Sequence, residues 1–166
     1  MQMKNVNIVL YNPEIPQNTG NISRTCAVTG ARLHIIKPIG FEISDRTVKR
    51  AGLDYWHELD ITYHESLDDF LKYAEGENLF YFTTKAPRAY TEASYPKRVF
   101  LLFGKETAGL PESLLYANPE RCVRLPMRHN LRSLNLSNTV CVAVYEALRQ
   151  REFEGLEEAG KMGQDL

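Results

Sequence analysis

The chain has 166 residues, 43% hydrophobic and 25% charged, with a formal net charge of −1. That length fits one domain able to bury a full core without disulfides or metal, and the composition excludes a disordered chain. The near-neutral charge excludes a globally basic nucleic-acid binder, so any such role needs a local patch.

Strand-like and helical runs alternate along the chain. Residues 7–11 read as a first strand, and a helix is expected over 19–29. A second strand follows at 33–36, a helix with an acidic start at 45–51, and a third strand at 61–63. Ser66 with Asp69 three residues later is close to a capping box, and predicts a helix ending at Tyr73. Strands are expected at 79–82 and 99–103. Pro111 suits the first position of a helix reaching Ala117, and a sixth strand is expected at 122–125. The clearest helix spans 135–149, with Leu136, Val140, Ala143, Val144 and Ala147 on one face and Asn135 or Ser133 as its cap.

Most strand runs are continuous rather than alternating, as in strands covered on both faces. The class is therefore α/β, with a mostly parallel sheet and helices on both faces. Residues 1–151 form one expected domain, and the Glu- and Gly-containing stretch 152–166 is expected to be a flexible tail. Cys26, Cys122 and Cys141 are odd in number, widely spaced and without a C-x-x-C, which reads as reduced, buried thiols in a cytoplasmic protein. No signal peptide is read, and the longest apolar run, 140–145, is too short to span a membrane.

Three stretches rich in small residues follow strand-like runs. They are Asn18-Thr19-Gly20-Asn21-Ile22-Ser23-Arg24, then residues 103–111, then Leu125-Pro126-Met127 continuing to Arg132-Ser133-Leu134-Asn135-Leu136-Ser137-Asn138. In open α/β folds ligands bind at the carboxyl ends of strands, so three such loops point to one composite site. No G-x-G-x-x-G follows a strand, and the P-loop spacing of Gly104 and Gly109 ends on Leu110 where phosphate binding needs Lys. There is no H-E-x-x-H, zinc-type Cys/His spacing or G-x-S-x-G, so no metal is expected and the four histidines read as structural. What remains suits a small neutral or cationic ligand held by backbone groups. Gly104 lets the chain approach a ligand closely, Leu125-Pro126-Met127 offers apolar surface, and Ser133 and Asn135 offer short polar groups.

Through these three motifs in order, the chain resembles the SPOUT superfamily of RNA methyltransferases in its SpoU (TrmH-like) branch. Further strings, including Pro13-Glu14-Ile15-Pro16, Ala51-Gly52-Leu53-Asp54-Tyr55 and Phe82-Thr83-Thr84-Lys85, resemble the short TrmL-type subgroup without an added RNA-binding domain. The resemblance implies an α/β fold with a deep C-terminal trefoil knot, a homodimer sharing its active site, and S-adenosyl-L-methionine as cofactor. It implies 2′-O-methylation of the wobble nucleotide, cytidine or uridine 34, in tRNA leucine isoacceptors. The alternatives are a ribose methyltransferase for another RNA, or a cofactor-binding RNA-binding protein without catalysis. Carried over by position, Phe82, Thr83, Gly104, Glu106, Leu125, Met127, Ser133, Leu134 and Asn135 would hold the cofactor. Arg24 would be catalytic, with Asn18 and Asn21 orienting it or the ribose. A guanidinium stays protonated, so Arg24 reads better as a clamp on a phosphate and an emerging alkoxide than as a base.

For RNA, Arg121, Arg124, Arg128, His129 and Arg132 fall in one stretch without an acid, and Lys85, Arg88, Lys97 and Arg98 flank the middle strands. Arg128, Arg132 and Lys85 are the candidate contacts with a tRNA anticodon stem-loop. Tyr55, Trp56 and Tyr90 are candidates for base stacking, and Val140, Val144 and Tyr145 equally for a dimer interface or for the core alone.

Overall fold

The computed structural model describes residues 6–44 and 56–163. Within them lie β1 (Val6–Tyr11), α1 (Pro16–Thr29), β2 (Arg32–Ile36), β3 (Ile61–His64), α2 (Leu67–Tyr73), β4 (Leu79–Phe82), β5 (Val99–Phe103), α3 (Glu112–Ala117), β6 (Cys122–Val123) and α4 (Leu136–Arg149). The helix expected over 45–51, and Tyr55, lie outside the described residues.

The strands form a six-stranded sheet in the order β3-β2-β1-β5-β4-β6, every pair parallel. β1 and β5 lie at its centre, where Ile8 pairs with Leu33 on one side and Leu101 on the other. The side chains alternate between faces although the sequence does not alternate in polarity, because both faces are covered. On one face Ile8, Leu10, Leu33, Leu101 and Phe103 pack with Ile22 and Cys26 of α1 and Val140, Ala143, Val144 and Ala147 of α4. On the other, Val9, Ile36, Tyr81, Phe100 and Leu102 pack with Phe70 of α2 and Leu115 of α3. The expected architecture of a parallel sheet between helices is therefore present.

The helix ends show which local signals win. Ser66 caps α2 by accepting from the Asp69 amide at 3.1 Å. Asn135, and not Ser133, caps α4, its Oδ1 accepting from the amides of Ser137 and Asn138. Pro111 stands one residue before α3 rather than inside it. β6 stops at Val123 because Arg124 turns to a new neighbour: its N–H donates to the Arg88 carbonyl and its carbonyl accepts from Tyr90.

The first motif is not a loop. α1 begins at Pro16 and takes 18–24 into its first turns, closing at Gly30 in the left-handed region with φ 73°. Asn18, Thr19, Gly20, Ile22 and Ser23 are buried there, and that burial overrides the weak helix propensity of Gly and Asn. Val140 and Val144 belong to the protomer core with no exposed surface, whereas Val142 and Tyr145 on the same helix are exposed. Beyond α4, Phe153 and Leu156 pack against the core, and Glu154 pairs with Lys97. Among the described residues no helix is long and apolar enough to cross a membrane.

Candidate active site

The carboxyl ends of β4, β5 and β6 open into a cleft of about 630 Å³. Its walls come from three places: 82–85 after β4, 103–110 after β5, and 124–136 between β6 and α4. Asn18 adds the start of α1. All nine residues expected to hold a cofactor line this one cleft: Phe82, Thr83, Gly104, Glu106, Leu125, Met127, Ser133, Leu134 and Asn135. Phe82 is held by stacking on Phe103, with ring centroids 4.8 Å apart.

Gly104 is required by the loop itself. A Cβ at this position would meet the Gly109 carbonyl carbon at 2.1 Å and the Leu110 nitrogen at 2.3 Å. The loop folds back through the Gly109 amide, which donates to Lys105 O at 2.9 Å, with Gly109 at φ +70°. The close approach foreseen at Gly104 is thus to its own chain.

A polar line ties the three walls together. The Glu106 carboxylate accepts from the backbone amides of Glu14 (2.9 Å) and Ile15 (3.0 Å), just where α1 begins. A carboxylate there is favoured by the open N–H groups and dipole of a helix N-terminus. Asn18 Nδ2 also donates to Glu106 at 3.3 Å, and Asn18 Oδ1 accepts from Asn135 Nδ2 at 3.0 Å. Asn135 Oδ1 in turn caps α4. Glu14 reciprocates by accepting from the Thr107 amide and hydroxyl. Asn18 is thereby bonded at its Nδ2 and at its Oδ1, and it ties the walls to the start of α1.

Arg24 and Asn21 are exposed on α1 and do not line the cleft. Six helical residues carry Arg24 about 9 Å along the axis from Asn18 and about 240° around it. The same outward stripe of α1 holds Val28, which is 60% exposed.

Of the candidate RNA contacts, Lys85 and Arg132 line the cleft, and Arg128 is exposed on the adjoining loop. Arg124 joins them on the lining. Other basic residues hold structure: Arg98 pairs with Glu77, Lys97 with Glu154, and Arg88 donates to Glu120 O. Lys85 pairs with Glu112, which raises its pKa. Trp56 and Tyr90 are half-buried against the core. Tyr116 of α3, next in sequence to the cleft-lining Leu115, is an aromatic residue in solvent that no sequence motif marks. Cys26 and Cys122 are buried and Cys141 is half-buried. Among the described residues no cluster of three or more His, Cys, Asp or Glu could hold a metal.

Comparison with known proteins agrees with this geometry. A tRNA (cytidine(34)-2′-O)-methyltransferase of Escherichia coli K12 is 51% identical over 151 residues, covering 90% of this chain and 96% of the relative. A solved structure, described as giving insights into the 2-OH methylation of C/U34 on tRNA, superposes with a TM-score of 0.83. It is 44% identical over 89% of this chain and 97% of its own. An AdoMet-bound rRNA methyltransferase of Sinorhizobium meliloti is 26% identical with a TM-score of 0.77, over 89% of this chain and 57% of that one. Since the sequence profile of the SpoU rRNA Methylase family also spans residues 5–145, the chain belongs to that family.

Proposed function

We infer that this protein transfers a methyl group from S-adenosyl-L-methionine to the ribose 2′-oxygen of the wobble nucleotide, cytidine or uridine 34, of tRNA, with leucine isoacceptors as substrates. The observation that carries this reading is the convergence of the second and third motifs, distant in sequence, with the 82–85 segment and Asn18 of the first motif on one cleft at the strand ends. The relative from Escherichia coli and the structure concerned with C/U34 bear the matching descriptions.

The cleft fits the cofactor. It is large enough for a nucleoside-sized ligand, mixes apolar walls at Phe82, Leu125 and Met127 with polar groups at Thr83 and Ser133, and presents main chain at Gly104. Bound there, the cofactor supplies a methyl group on a sulfonium that departs as a neutral thioether. The protein's task is then the acceptor, a weakly acidic hydroxyl that must be aligned and relieved of its proton. Alignment of two reactants is worth about 7–11 kcal/mol, so positioning takes the larger share. Arg24 holds a neighbouring phosphate and stabilises the forming alkoxide, and a substrate phosphate or water takes the proton.

Arg24 and Asn21 stand outside the lining of the cleft of their own protomer. A homodimer built on the outward stripes of α1 and α4 resolves this, delivering Arg24 to the partner's cleft. The exposed Val28, Val142 and Tyr145 on those helices support such an interface. The family's deep trefoil knot is part of the same reading. The chain leaves β6 at the sheet edge and returns to pack α4 over the sheet centre, and the 83–98 segment is hydrogen-bonded to Arg124 on the way. Free cysteines accord with a cytoplasmic location.

Incubating bulk tRNA with labelled cofactor, then analysing nucleosides, tests the reading. Label on a 2′-O-methyl pyrimidine at position 34 is the expected result. Label at another nucleotide or in another RNA redirects the substrate. Binding of cofactor and tRNA without transfer favours a non-catalytic binding protein.

A further inference from the structure

The rim of the cleft beside α3 carries chemistry that methyl transfer itself does not use. Thr84 and Lys85 form the cleft wall after β4, and Leu115 of α3 forms part of the same wall. On the outer side of α3 stand Glu112 and Tyr116, four residues apart and therefore neighbours on one helix face. Lys85 reaches Glu112 from across the gap, which sets its ammonium beside the helix face that also carries Tyr116. Tyr116 is 71% exposed. Its ring does not serve the protomer core, where Leu115 is the buried residue of the helix.

We propose that Tyr116 is a stacking platform for a nucleotide that flanks the methylated one in the RNA substrate, with Lys85 taking that nucleotide's phosphate. The proposal rests on the RNA-methyltransferase reading above and adds a recognition element to it. An exposed aromatic ring beside a lysine offers the two contacts a single-stranded nucleotide takes, a π-face and a phosphate partner. The Lys85–Glu112 pair suits a temporary partnership. Both side chains are more than half exposed, 54% and 59%, and exposed ion pairs contribute little, so a phosphate displaces Glu112 readily. Glu112 then holds Lys85 at the rim until RNA arrives. Arg124 and Arg132, also on the cleft lining, supply cations for phosphates elsewhere along the strand. The strand thus passes over the cleft mouth with the target ribose between these groups.

The test uses the full chain and an unmodified leucine tRNA transcript. Tyr116→Ala should raise the KM for tRNA by at least about 5-fold, the lower end for removal of one base stack. Its kcat and its affinity for cofactor should stay within about twofold, as expected when only uniform substrate binding is removed. Tyr116→Phe and Tyr116→Trp should restore the KM, since both keep a π-face. Glu112→Gln should tighten tRNA binding at low salt, because Lys85 no longer has to leave a carboxylate to reach the phosphate. An unchanged KM in Tyr116→Ala overturns the proposal while leaving the methyltransferase reading intact. A loss not rescued by Phe, or accompanied by a lower Tm or weaker cofactor binding, also overturns it by assigning Tyr116 a structural role. If the wild-type protein transfers no methyl group to any RNA, the functional reading falls first and this proposal with it.

Discussion

Lowering the pH from 7 to 5 should destabilise this protein through a histidine pair buried in its sheet. His34 on β2 and His64 on β3 meet at 3.0 Å, Nδ1 to Nε2, and His34 Nε2 meets Asn7 Oδ1 at 3.2 Å. Asn7 Nδ2 donates to Val99 O, which turns its Oδ1 toward His34. His34 therefore carries its proton on Nε2 and accepts at Nδ1 from His64 Nε2–H. A second proton on His34 would set two donors against each other, within a wall formed by Phe70, Tyr73 and Phe100. Burial first, then the charges of His64, Arg32 and Arg98 against the opposing Asp60, push the His34 pKa down to about 3. His64 is lowered as well, by burial, with Asp69 opposing. Because the folded value lies below the unfolded one, the stabilisation is complete above about pH 6.5 and is lost as the pH falls toward 3. Between pH 7 and pH 5 the unfolded chain gains a proton that folded His34 does not, which removes about 2 kcal/mol. Urea unfolding at both pH values and fixed protein concentration measures this. His34→Gln keeps a hydrogen-bonding side chain without a titrating group, so its loss over the same interval should be smaller by about that amount. Equal losses in the two proteins would refute the reasoning, because His34 would then be protonated or solvated in the native state.

Gly104→Ala should cost 3 kcal/mol or more, about the upper end for overpacking, because the obstructing atoms are backbone; calorimetric titration should show cofactor binding abolished as well. Arg24→Lys should keep the fold and the cofactor affinity but lower kcat by roughly 100-fold, as for loss of an oriented donor to a developing oxyanion. Near-normal turnover in that variant would remove any specific guanidinium role. Reversing the charges of Arg128 and Arg132 should weaken tRNA binding much more than cofactor binding, and reduce the salt slope by about 0.7 for each phosphate that is no longer neutralised. Equal weakening of both ligands would point instead to damage of the loop before α4.

Some of this structure is written locally and some is not. Ser66 and Asn135 are legible because a cap joins a side chain to amides two or three residues away. The parallel sheet is legible because strands covered on both faces lack polar alternation. The helix expected over 19–29 is present and begins earlier, at Pro16; residues 18–24 also read as a ligand-holding loop because Gly and Asn favour turns on their own, while Ile22, Cys26 and the packing against α4 hold them in the helix. The nine cleft residues follow from a resemblance, and their meeting in one place depends on interactions that no local pattern encodes. Asn18 reaches Glu106 across 88 positions and Asn135 across 117. The His34–His64 pair, 30 residues apart, is invisible for the same reason, and so is the exposure of Tyr116.

On the proposed function, the line from Glu106 through Asn18 to Asn135 is predicted to couple cofactor and RNA. It joins two cleft walls to the start of α1, and α1 is the rigid element that bears Arg24. A ligand that settles the 104–110 and 133–136 walls should therefore also fix the helix that, in the proposed mechanism, presents Arg24 to RNA, and an RNA that fixes α1 should favour the settled walls. By thermodynamic reciprocity, cofactor should tighten tRNA binding by the same factor by which tRNA tightens cofactor binding, about 5-fold or more if the coupling is of ordinary size. Asn18→Ala breaks the line while leaving Glu106 on the Glu14 and Ile15 amides and Asn135 as the cap of α4. It should cost about 1–3 kcal/mol of stability through the partners it strands, and bring the coupling factor close to one. Titrations of each ligand with and without the other, in both proteins, measure this directly. A coupling that survives Asn18→Ala would mean that the walls and α1 communicate by another route, and that the polar line serves stability alone.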